Sequence, residues 1–442
     1  MDSIVSRRSF MKLAAAGAAP MILPTGILSA GQSPNEKLNI ALIGSGGRGR
    51  ANLQFFKSEN IVALCDTDED ELATTAKDFP NAKTYVDWRK CLEQKDIEAV
   101  ICSTTDHTHA FVTTWALNRG MHVYCEKPLG NSVEEARVVR EAYLKQKGKV
   151  ATQMGVQRHE NPNMARVVEL IRDGAIGTPE SVSLWCARTP KGGNYLPDAG
   201  QPPKNIHWDL WLGPSPHHPY NPGYLVANPS RCLSWNIYWD FGSGQMGDMG
   251  SHTMDIAWWA LDLGFPTSCF CVGPEKSSDT VPTWIKAEWE HPANDWRPAV
   301  TVKWYDGGKR PGMPSKAFAA ETIGDGALFK GDKGFLLCDF GARYLMPTRG
   351  EMSYYKPRKA EEAIPDSPGH HAEWLKACKT DKKTRTDFDY SGKLIEHNML
   401  ALAAYRTGEK LEWNAGELKA TNCPKADQFI RKTYREGWVL NG

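Results

Sequence analysis

A glycine-rich turn between an apolar strand and a helix limits the fold of this chain more than any other feature. The run LNIALIG predicts a strand, and Gly44-Ser45-Gly46-Gly47-Arg48-Gly49 follows it and opens a helix. Glycines at these positions let a pyrophosphate approach backbone N–H groups and a helix N-terminus. Asp66 ends the second predicted strand, near the ~20-residue spacing of a carboxylate that binds ribose hydroxyls. The pattern favours a dinucleotide site, and a glycine turn without a ligand is the alternative.

Short apolar runs alternate with amphipathic segments from Lys37 to the run HVYCE, which ends at Glu126. Strands and helices in alternation imply a parallel sheet with right-handed crossovers. Gly120 is placed to close one helix, and Ser132 with Glu135 forms a capping-box pattern. We therefore predict an α/β chain whose residues 37–157 form a Rossmann domain, a doubly wound parallel sheet.

The acidic run from Asp66 to Glu71 favours NAD over NADP, because carboxylates repel a 2′-phosphate. Arg48 could neutralise such a phosphate, so NADP stays open. Ser103, Thr104 and His107 follow the fourth strand and are predicted to line the cofactor, with Asp106 as a candidate helix cap.

The first thirty residues predict an export signal. Arg7 and Arg8 precede an uncharged stretch rich in Ala and Leu that ends in small residues, which indicates a twin-arginine signal over residues 1–30 and a periplasmic protein. A membrane anchor is the alternative, but Pro20 and Pro24 interrupt the run. Twin-arginine export moves folded proteins, so a nucleotide inserted in the cytoplasm can leave with its protein.

Composition excludes several classes of partner and site. The chain has 53 basic and 52 acidic residues, which gives no basic surface for nucleic acid. No later segment has ~18 consecutive apolar residues, so membrane insertion is not expected. Eleven cysteines without a CxxC pair indicate buried thiols, and the doublets His217-His218 and His370-His371 lack carboxylates at ligand spacing. We predict no metal site.

Two further motifs give the chain a family resemblance. Cys125-Glu126-Lys127-Pro128-Leu129 follows the fifth strand, and Gly247-Asp248-Met249-Gly250-Ser251-His252 lies far downstream. Together with the glycine turn they resemble the glucose-fructose oxidoreductase, inositol dehydrogenase and MocA (Gfo/Idh/MocA) superfamily. The resemblance implies a substrate-binding and catalytic α/β domain over residues 158–442, built on a large, open, mainly antiparallel sheet. It also implies a homo-oligomer, a dimer or a tetramer.

The resemblance assigns Lys127 to the reacting hydroxyl, His252 to acid/base chemistry and Asp248 to the partner of His252. Oxidising an alcohol removes a hydride from carbon and a proton from oxygen, and histidine suits the proton transfer. Asp248 and His252 are four residues apart, hence on one face if the segment is helical. A cationic Lys127 would stabilise the developing alkoxide. A structural histidine is the alternative for His252, and Asp255 is expected to brace the helix.

Several other residues are candidates for the cofactor and the substrate. Glu126 and Lys127 lie at the sheet edge where the cofactor is expected. Arg158 follows the nucleotide domain and is expected to contact nicotinamide or substrate, or else to pair with a surface carboxylate. Residues 189–240 read as loops over the active site, and six tryptophans occur between Trp208 and Trp259. We place Trp239 and Asp240 at a sugar site, although core packing is the usual role of a tryptophan.

These observations predict a periplasmic, NAD-dependent oxidoreductase acting on a secondary hydroxyl of a sugar or glycoside, at C3 for preference. Free NAD is scarce outside the cytoplasm, so the cofactor is expected to be tightly bound and internally recycled. One alternative is a redox-neutral, NAD-dependent glycosidase. Such an enzyme oxidises the sugar, eliminates the glycosidic substituent, adds water and finally reduces the product. A non-catalytic sugar-binding protein is the other.

Overall fold

The structure is a computed structural model that describes residues 37–226, 234–314, 323–348 and 350–441. The predicted export signal at residues 1–30 lies outside the described residues. Within the described residues, no helix is both long enough and apolar enough to cross a membrane.

The amino-terminal part is a six-stranded parallel sheet with strand order β3-β2-β1-β4-β5-β6, as the alternating pattern predicts. The strands are β1 Asn39–Ile43, β2 Asn60–Cys65, β3 Lys83–Tyr85, β4 Ala99–Cys102, β5 His122–Cys125 and β6 Thr152–Met154. The helices are α1 Gly47–Leu53, α2 Glu69–Ala76, α3 Trp88–Cys91, α4 Asp106–Asn118 and α5 Val133–Lys145. The central strands β1 and β4 are almost wholly buried because helices cover both faces of the sheet.

Local capping explains where these helices begin and end. Ser132 Oγ accepts the backbone N–H of Glu135 at 3.1 Å, and Gly120 after α4 has φ +76°, a left-handed conformation that favours glycine. Asp106 is not the predicted cap: Thr105 holds that position, and Asp106 is the first residue of α4. Its carboxylate instead accepts Asn236 Nδ2 at 3.3 Å, a contact to a distant loop that sequence spacing does not reveal.

The second part is built on a nine-stranded sheet of order β13-β12-β11-β7-β10-β9-β8-β14-β15. Only the β7–β10 pair is parallel, so the sheet is mixed and mainly antiparallel, as expected. The strands are β7 Pro179–Cys186, β8 Ser268–Val272, β9 Lys286–His291, β10 Val300–Tyr305, β11 Asp325–Gly331, β12 Gly334–Cys338, β13 Arg343–Pro347, β14 Leu411–Asn414 and β15 Lys419–Ala420.

The remaining helices are α6 Pro162–Arg172, α7 Trp208–Leu212, α8 Gly244–Ala260, α9 His370–Cys378, α10 Phe388–Thr407 and α11 Asp427–Ile430. Of these, α8 and α10 pack against strands of the large sheet, whereas Trp374 of α9 packs in the core of the first sheet. α10 packs against both α8 and α5, so it joins the two sheets. In β9 the side chains of Ala287, Trp289 and His291 are buried whereas Lys286 is exposed, so one face of the sheet is covered and the other is open.

The segment between β7 and α8 is a long insertion, residues 187–243, with its own aromatic core. Its buried members include Trp208, Tyr224 and Phe241. The ten cysteines in the described part of the chain are buried and form no disulfides, and the eleventh, Cys232, lies outside it.

Candidate active site

The glycine turn between β1 and α1 has the backbone conformation that only small residues allow. Gly44 has φ +85°, and a Cβ there would lie 2.6 Å from the carbonyl oxygen of Ser103. A Cβ on Gly49 would lie 1.8 Å from the carbonyl oxygen of Gly44. Gly47 has φ +42° and nothing within 4 Å of its Cβ position. The turn is therefore closed on the protein side and open at Gly47, where a phosphate can approach.

Asp66 at the end of β2 holds this turn in place. Its Oδ2 accepts the backbone N–H of Ser45 at 2.7 Å and of Gly46 at 2.9 Å, while Oδ1 accepts that of Asp68 at 3.1 Å. Burial raises the pKa of Asp66, although these hydrogen bonds act in the opposite direction. The predicted ribose carboxylate thus lies beside the phosphate turn, as a dinucleotide requires.

The two arginines at the start of α1 have different surroundings. Arg50 donates to Glu71 at 2.6 Å, whereas Arg48 is exposed. The positive charge of Arg48 acts on Tyr124 of β5, which two strands separate from β2. The acidic run after β2 thus binds one of the two arginines.

The predicted cofactor residues after β4 form hydrogen bonds with neighbouring helices and with the insertion. Ser103 Oγ accepts Asn52 Nδ2 at 3.2 Å, and Thr104 Oγ1 accepts the hydroxyl of Thr108 at 2.6 Å. The ring of His107 is buried, with Nε2 3.0 Å from the carbonyl oxygen of Trp211 and Nδ1 3.3 Å from that of Phe241. Burial lowers the pKa of His107 to about 4. His107 therefore contacts the insertion rather than an open groove.

Glu126 links the sheet edge to α1. Its Oε1 accepts Asn52 Nδ2 at 3.0 Å and Gln157 Nε2 at 2.8 Å, and a Cβ on Gly155 would lie 2.6 Å from Oε2. This buried carboxylate fixes the chain just before Lys127.

Lys127, Asp248 and Arg188 form an ion-pair cluster between the two parts of the chain. Lys127 Nζ donates to Asp248 Oδ1, and Arg188 Nη1 donates to Oδ2 at 2.9 Å. Burial alone would raise the pKa of Asp248, but Lys127 and then Arg188 hold it well below its ordinary value. Burial would lower the pKa of Lys127, yet Asp248 holds it above its ordinary value. Both charges are therefore kept at neutral pH.

His252 lies one helical turn after Asp248 in α8 and is buried. Within the part of the chain that the structure describes, its Nδ1 has no hydrogen-bond partner. The Asp248 carboxylate binds two cations, and its negative charge also acts on His252. Burial, with Lys127 as the next cause, lowers the pKa of His252 to about 3. His252 is thus a neutral imidazole beside an ammonium group.

Arg188 was not among the candidate residues named from the sequence. It lies two residues after β7, at the end of the apolar run SVSLWCAR, and this position at a strand end is the signal that could have indicated it. Arg188 reaches Asp248 because β7 packs against α8, and the sequence does not show that these two elements meet.

The predicted substrate residues are divided between this cluster and the core. Arg158 is exposed, its guanidinium lies 4.2 Å from the ring centroid of Phe340, and its charge acts on His252. The indole of Trp239 is buried and donates to the carbonyl oxygen of Ser277 at 3.1 Å. Its indole therefore packs in the core, which is the usual alternative for a tryptophan.

Asp240 accepts the hydroxyl of Tyr195 at 2.7 Å and lies 2.8 Å from His218 Nε2. His218, one of the doublet histidines, thus has a carboxylate partner that is distant in sequence. Asp255 braces α8 as expected, because it binds His159 at 2.8 Å and the hydroxyl of Tyr390 at 2.6 Å.

Cys102, His109 and Cys125 come together at the ends of β4 and β5, with their potential ligand atoms within 4.8 Å of one another. Sequence spacing did not reveal this group, because three separate segments supply it. His109 Nδ1 lies 2.7 Å from the carbonyl oxygen of Pro128 and Nε2 lies 3.0 Å from that of Thr104. Both ring nitrogens therefore face the backbone, an arrangement that suits a core contact better than a metal ligand.

Comparisons with known proteins agree with this geometry. Residues 38–154 match the model for the NAD-binding Rossmann fold of the Gfo/Idh/MocA oxidoreductases, and residues 169–294 match the model for their C-terminal α/β domain. The two models together cover more than half of the chain. The chain belongs to the Gfo/Idh/MocA oxidoreductase family. Lys127 lies within the first family model, whereas Asp248 and His252 lie within the second.

Relatives found by sequence align with only part of this chain. The levoglucosan dehydrogenase of Pseudarthrobacter phenanthrenivorans is 26% identical over 234 residues, 50% of each chain. The inositol 2-dehydrogenase of Klebsiella pneumoniae is 30% identical over 168 residues, 36% of this chain and 49% of the relative. The chain thus spans about half the length of the curated relatives it matches.

Solved structures share the fold over most of the chain. The WlbA dehydrogenase from Chromobacterium violaceum, in complex with NADH and UDP-GlcNAcA, superposes with a TM-score of 0.61 at 17% identity and covers 89% of this chain and 99% of its own. The aldose-aldose oxidoreductase from Caulobacter crescentus superposes with a TM-score of 0.58 at 17% identity. The superposition covers 86% of this chain and 100% of that oxidoreductase. At these identities the likeness shows a shared fold.

Proposed function

We propose that this protein is an NAD-dependent oxidoreductase that acts on a secondary hydroxyl of a sugar or glycoside. The observation that carries the proposal is the meeting of Lys127, neutral His252 and Asp248 at the carboxyl edge of a parallel sheet that also bears the glycine turn. Ligands of doubly wound sheets bind at that edge. Relatives named as levoglucosan and inositol dehydrogenases support a polyhydroxylated substrate.

The residues of the first sheet fit a dinucleotide. The open backbone at Gly47 suits the pyrophosphate, and Asp66 suits the ribose hydroxyls. NAD is favoured over NADP because Asp66 is followed by further carboxylates, which repel a 2′-phosphate. When bound, nicotinamide supplies the acceptor for a hydride from the substrate carbon.

The residues of the cluster divide the rest of the chemistry. His252 is neutral and can take the hydroxyl proton, while Lys127 keeps a positive charge that stabilises the oxygen as it becomes negative. Asp248 holds Lys127 in position and balances its charge. Arg158 supplies a second cation near His252 for the hydroxyl rim of a sugar.

The finer features of the proposal come from the sequence. They are export by the twin-arginine route to the periplasm, oxidation at C3, and a tightly bound NAD recycled between two sugars. Arg7 and Arg8 support the route. Replacing both by Lys should leave the protein in the cytoplasmic fraction, and unchanged fractionation would contradict export.

The enzyme is also proposed to be a homo-oligomer. Phe270 and Val272 of β8 are 42% and 40% exposed on the uncovered side of the large sheet, an apolar area that suits a second copy. Light scattering of the purified protein tests this, and a monomer at micromolar concentration would contradict it.

The activity itself is tested with a panel of sugars and glycosides. The absorbance of reduced nicotinamide and the mass of the product are measured for the wild type, Lys127→Met and His252→Ala. We expect both variants to lose turnover while they keep bound nucleotide, because neither side chain belongs to the glycine turn. Release of an aglycone with exchange of the C2 hydrogen would indicate the redox-neutral glycosidase. Unchanged turnover in both variants would refute the assignment.

A further inference from the structure

A segment of the insertion is tied to the carboxyl end of β2. We call residues 205–214 the strap. The backbone N–H of Glu69 donates to the carbonyl oxygen of Asn205 at 2.9 Å, and that of His207 donates to Thr67 at 2.8 Å, an antiparallel bridge centred on Asp68 and Ile206. His207 Nε2 also lies 2.6 Å from Glu69 Oε1. One end of the strap is thus bound beside the ribose carboxylate.

The other end of the strap is tied to the start of α4, which follows β4. The ring of His107 lies 3.0 Å from the carbonyl oxygen of Trp211, and a Cβ on Gly213 would approach Thr108 to 3.0 Å. β1 lies between β2 and β4 in the sheet. The strap therefore passes from one neighbour of the glycine turn to the other.

The strap is also held by residues 431–441, which we call the tail. Arg435 Nη2 donates to the carbonyl oxygens of Asp209 and Gly213 at 2.8 Å each, Nε donates to Gly213 at 3.1 Å, and Nη1 binds the Asp209 carboxylate. The backbone N–H of Arg435 also donates to Pro214 at 3.0 Å. One side chain thus secures both ends of the short helix α7.

The tail is itself fixed to the first sheet domain. Thr114 Oγ1 in α4 donates to the carbonyl oxygen of Leu440 at 2.6 Å, and the guanidinium of Arg89 lies 4.4 Å from the ring centroid of Trp438. The strap is therefore held between the nucleotide domain and a tail that is anchored on the same domain.

We infer that the strap forms the outer wall of the adenosine half of the nucleotide site and retains the cofactor through many turnovers. In doubly wound sheets the adenosine half lies beside the ends of the strands that flank the glycine turn, and the strap bridges those ends. NAD then leaves only when the Arg435 and His207 contacts break. The inference rests on the proposed function, because it takes NAD as the ligand.

The test compares release of bound nucleotide from full-length variants. The protein is loaded with labelled NAD, chased with excess unlabelled NAD, and the label that elutes with the protein in gel filtration is followed over time. Arg435→Ala removes the side-chain clamp. His207→Ala removes only the half-exposed side-chain contact with Glu69, so the second variant keeps the test valid if the first fails to fold. Arg431→Ala is the matched control, because Arg431 lies in the same tail but binds Asp427 and Leu418 instead of the strap.

We expect release at least about tenfold faster from Arg435→Ala, less acceleration from His207→Ala, and no change from Arg431→Ala, since several hydrogen bonds to a charged group are lost only in the first. Equal release rates in wild type, Arg435→Ala and His207→Ala, with NAD still bound by each, would overturn the strap alone. Failure of all proteins, the wild type included, to bind labelled NAD would overturn the proposed function.

Discussion

Replacing Asp248 by Asn tests whether this carboxylate holds the two cations of the active-site cluster. The substitution keeps the size of the side chain but leaves Lys127 and Arg188 without their shared anion. Removing one partner of a fully buried pair costs about 3–5 kcal/mol. The side chains of Lys127 and Asp248 are 21% and 15% exposed, so we expect a smaller loss of about 2 kcal/mol in the free energy of unfolding.

The same substitution has a predictable dependence on pH. The pKa of Asp248 is depressed in the folded state, so its contribution to stability is complete above the unfolded pKa of about 3.9 and is lost as the pH falls further. The difference in stability between wild type and Asp248→Asn should therefore be constant near neutral pH and shrink below pH ~4. Turnover should fall about a hundredfold at neutral pH, because Lys127 is no longer held in position.

Urea unfolding followed by tryptophan fluorescence measures the loss at several pH values. Glu409→Gln is the matched control, because Glu409 pairs with Lys425 outside the strands of the large sheet, where both side chains are more than half exposed. Its effect should stay below about 0.5 kcal/mol. The double variant Lys127→Met/Asp248→Asn should recover part of the stability, since it leaves one buried cation fewer. An Asp248→Asn protein as stable as the control, with an unchanged pH dependence, would refute the reasoning.

Three further predictions follow from the glycine turn and the histidine. The pKa of His252 is lowered to about 3, so the pH profile of kcat/KM should lack the acid limb near pH ~6.5 of an ordinary histidine; a limb there that disappears in His252→Ala would contradict the burial argument. Gly44→Ala should abolish nucleotide binding and lower the melting temperature, because its Cβ would lie 2.6 Å from the Ser103 carbonyl oxygen. Gly47→Ala, which has open space at its Cβ position, should lower the melting temperature less than Gly44→Ala in scanning calorimetry. Equal losses of melting temperature would count against this view of the turn. Asp66→Ala should weaken NAD binding about tenfold or more in titration calorimetry, because the ribose acceptor and the brace on Gly46 are both lost; unchanged affinity would remove Asp66 from the nucleotide site.

The first sheet and its glycine turn were predictable because their signals are local. A buried strand, a turn that needs positive φ at Gly44 and a helix follow one another directly in the chain. The capping of α5 by Ser132 also depends on residues three positions apart.

The partners of the active-site residues were not predictable in the same way. Spacing suggested that Asp248 would serve His252, but Asp248 lies between Lys127, 121 positions away, and Arg188, 60 positions away. His107 was predicted to line the cofactor, whereas in the structure it contacts a carbonyl of the insertion 104 positions later. These contacts arise only when separate elements pack.

The sequence by itself determined the order of strands and helices, the glycine turn and the identity of the charged groups, because each depends on neighbouring residues or on hydrophobic periodicity. Tertiary structure alone decided which cation each carboxylate meets, how deeply His252 is buried, and that the strap lies across the edge of the first sheet. Burial and distance set the strength of those interactions, and neither is encoded in the spacing of residues along the chain.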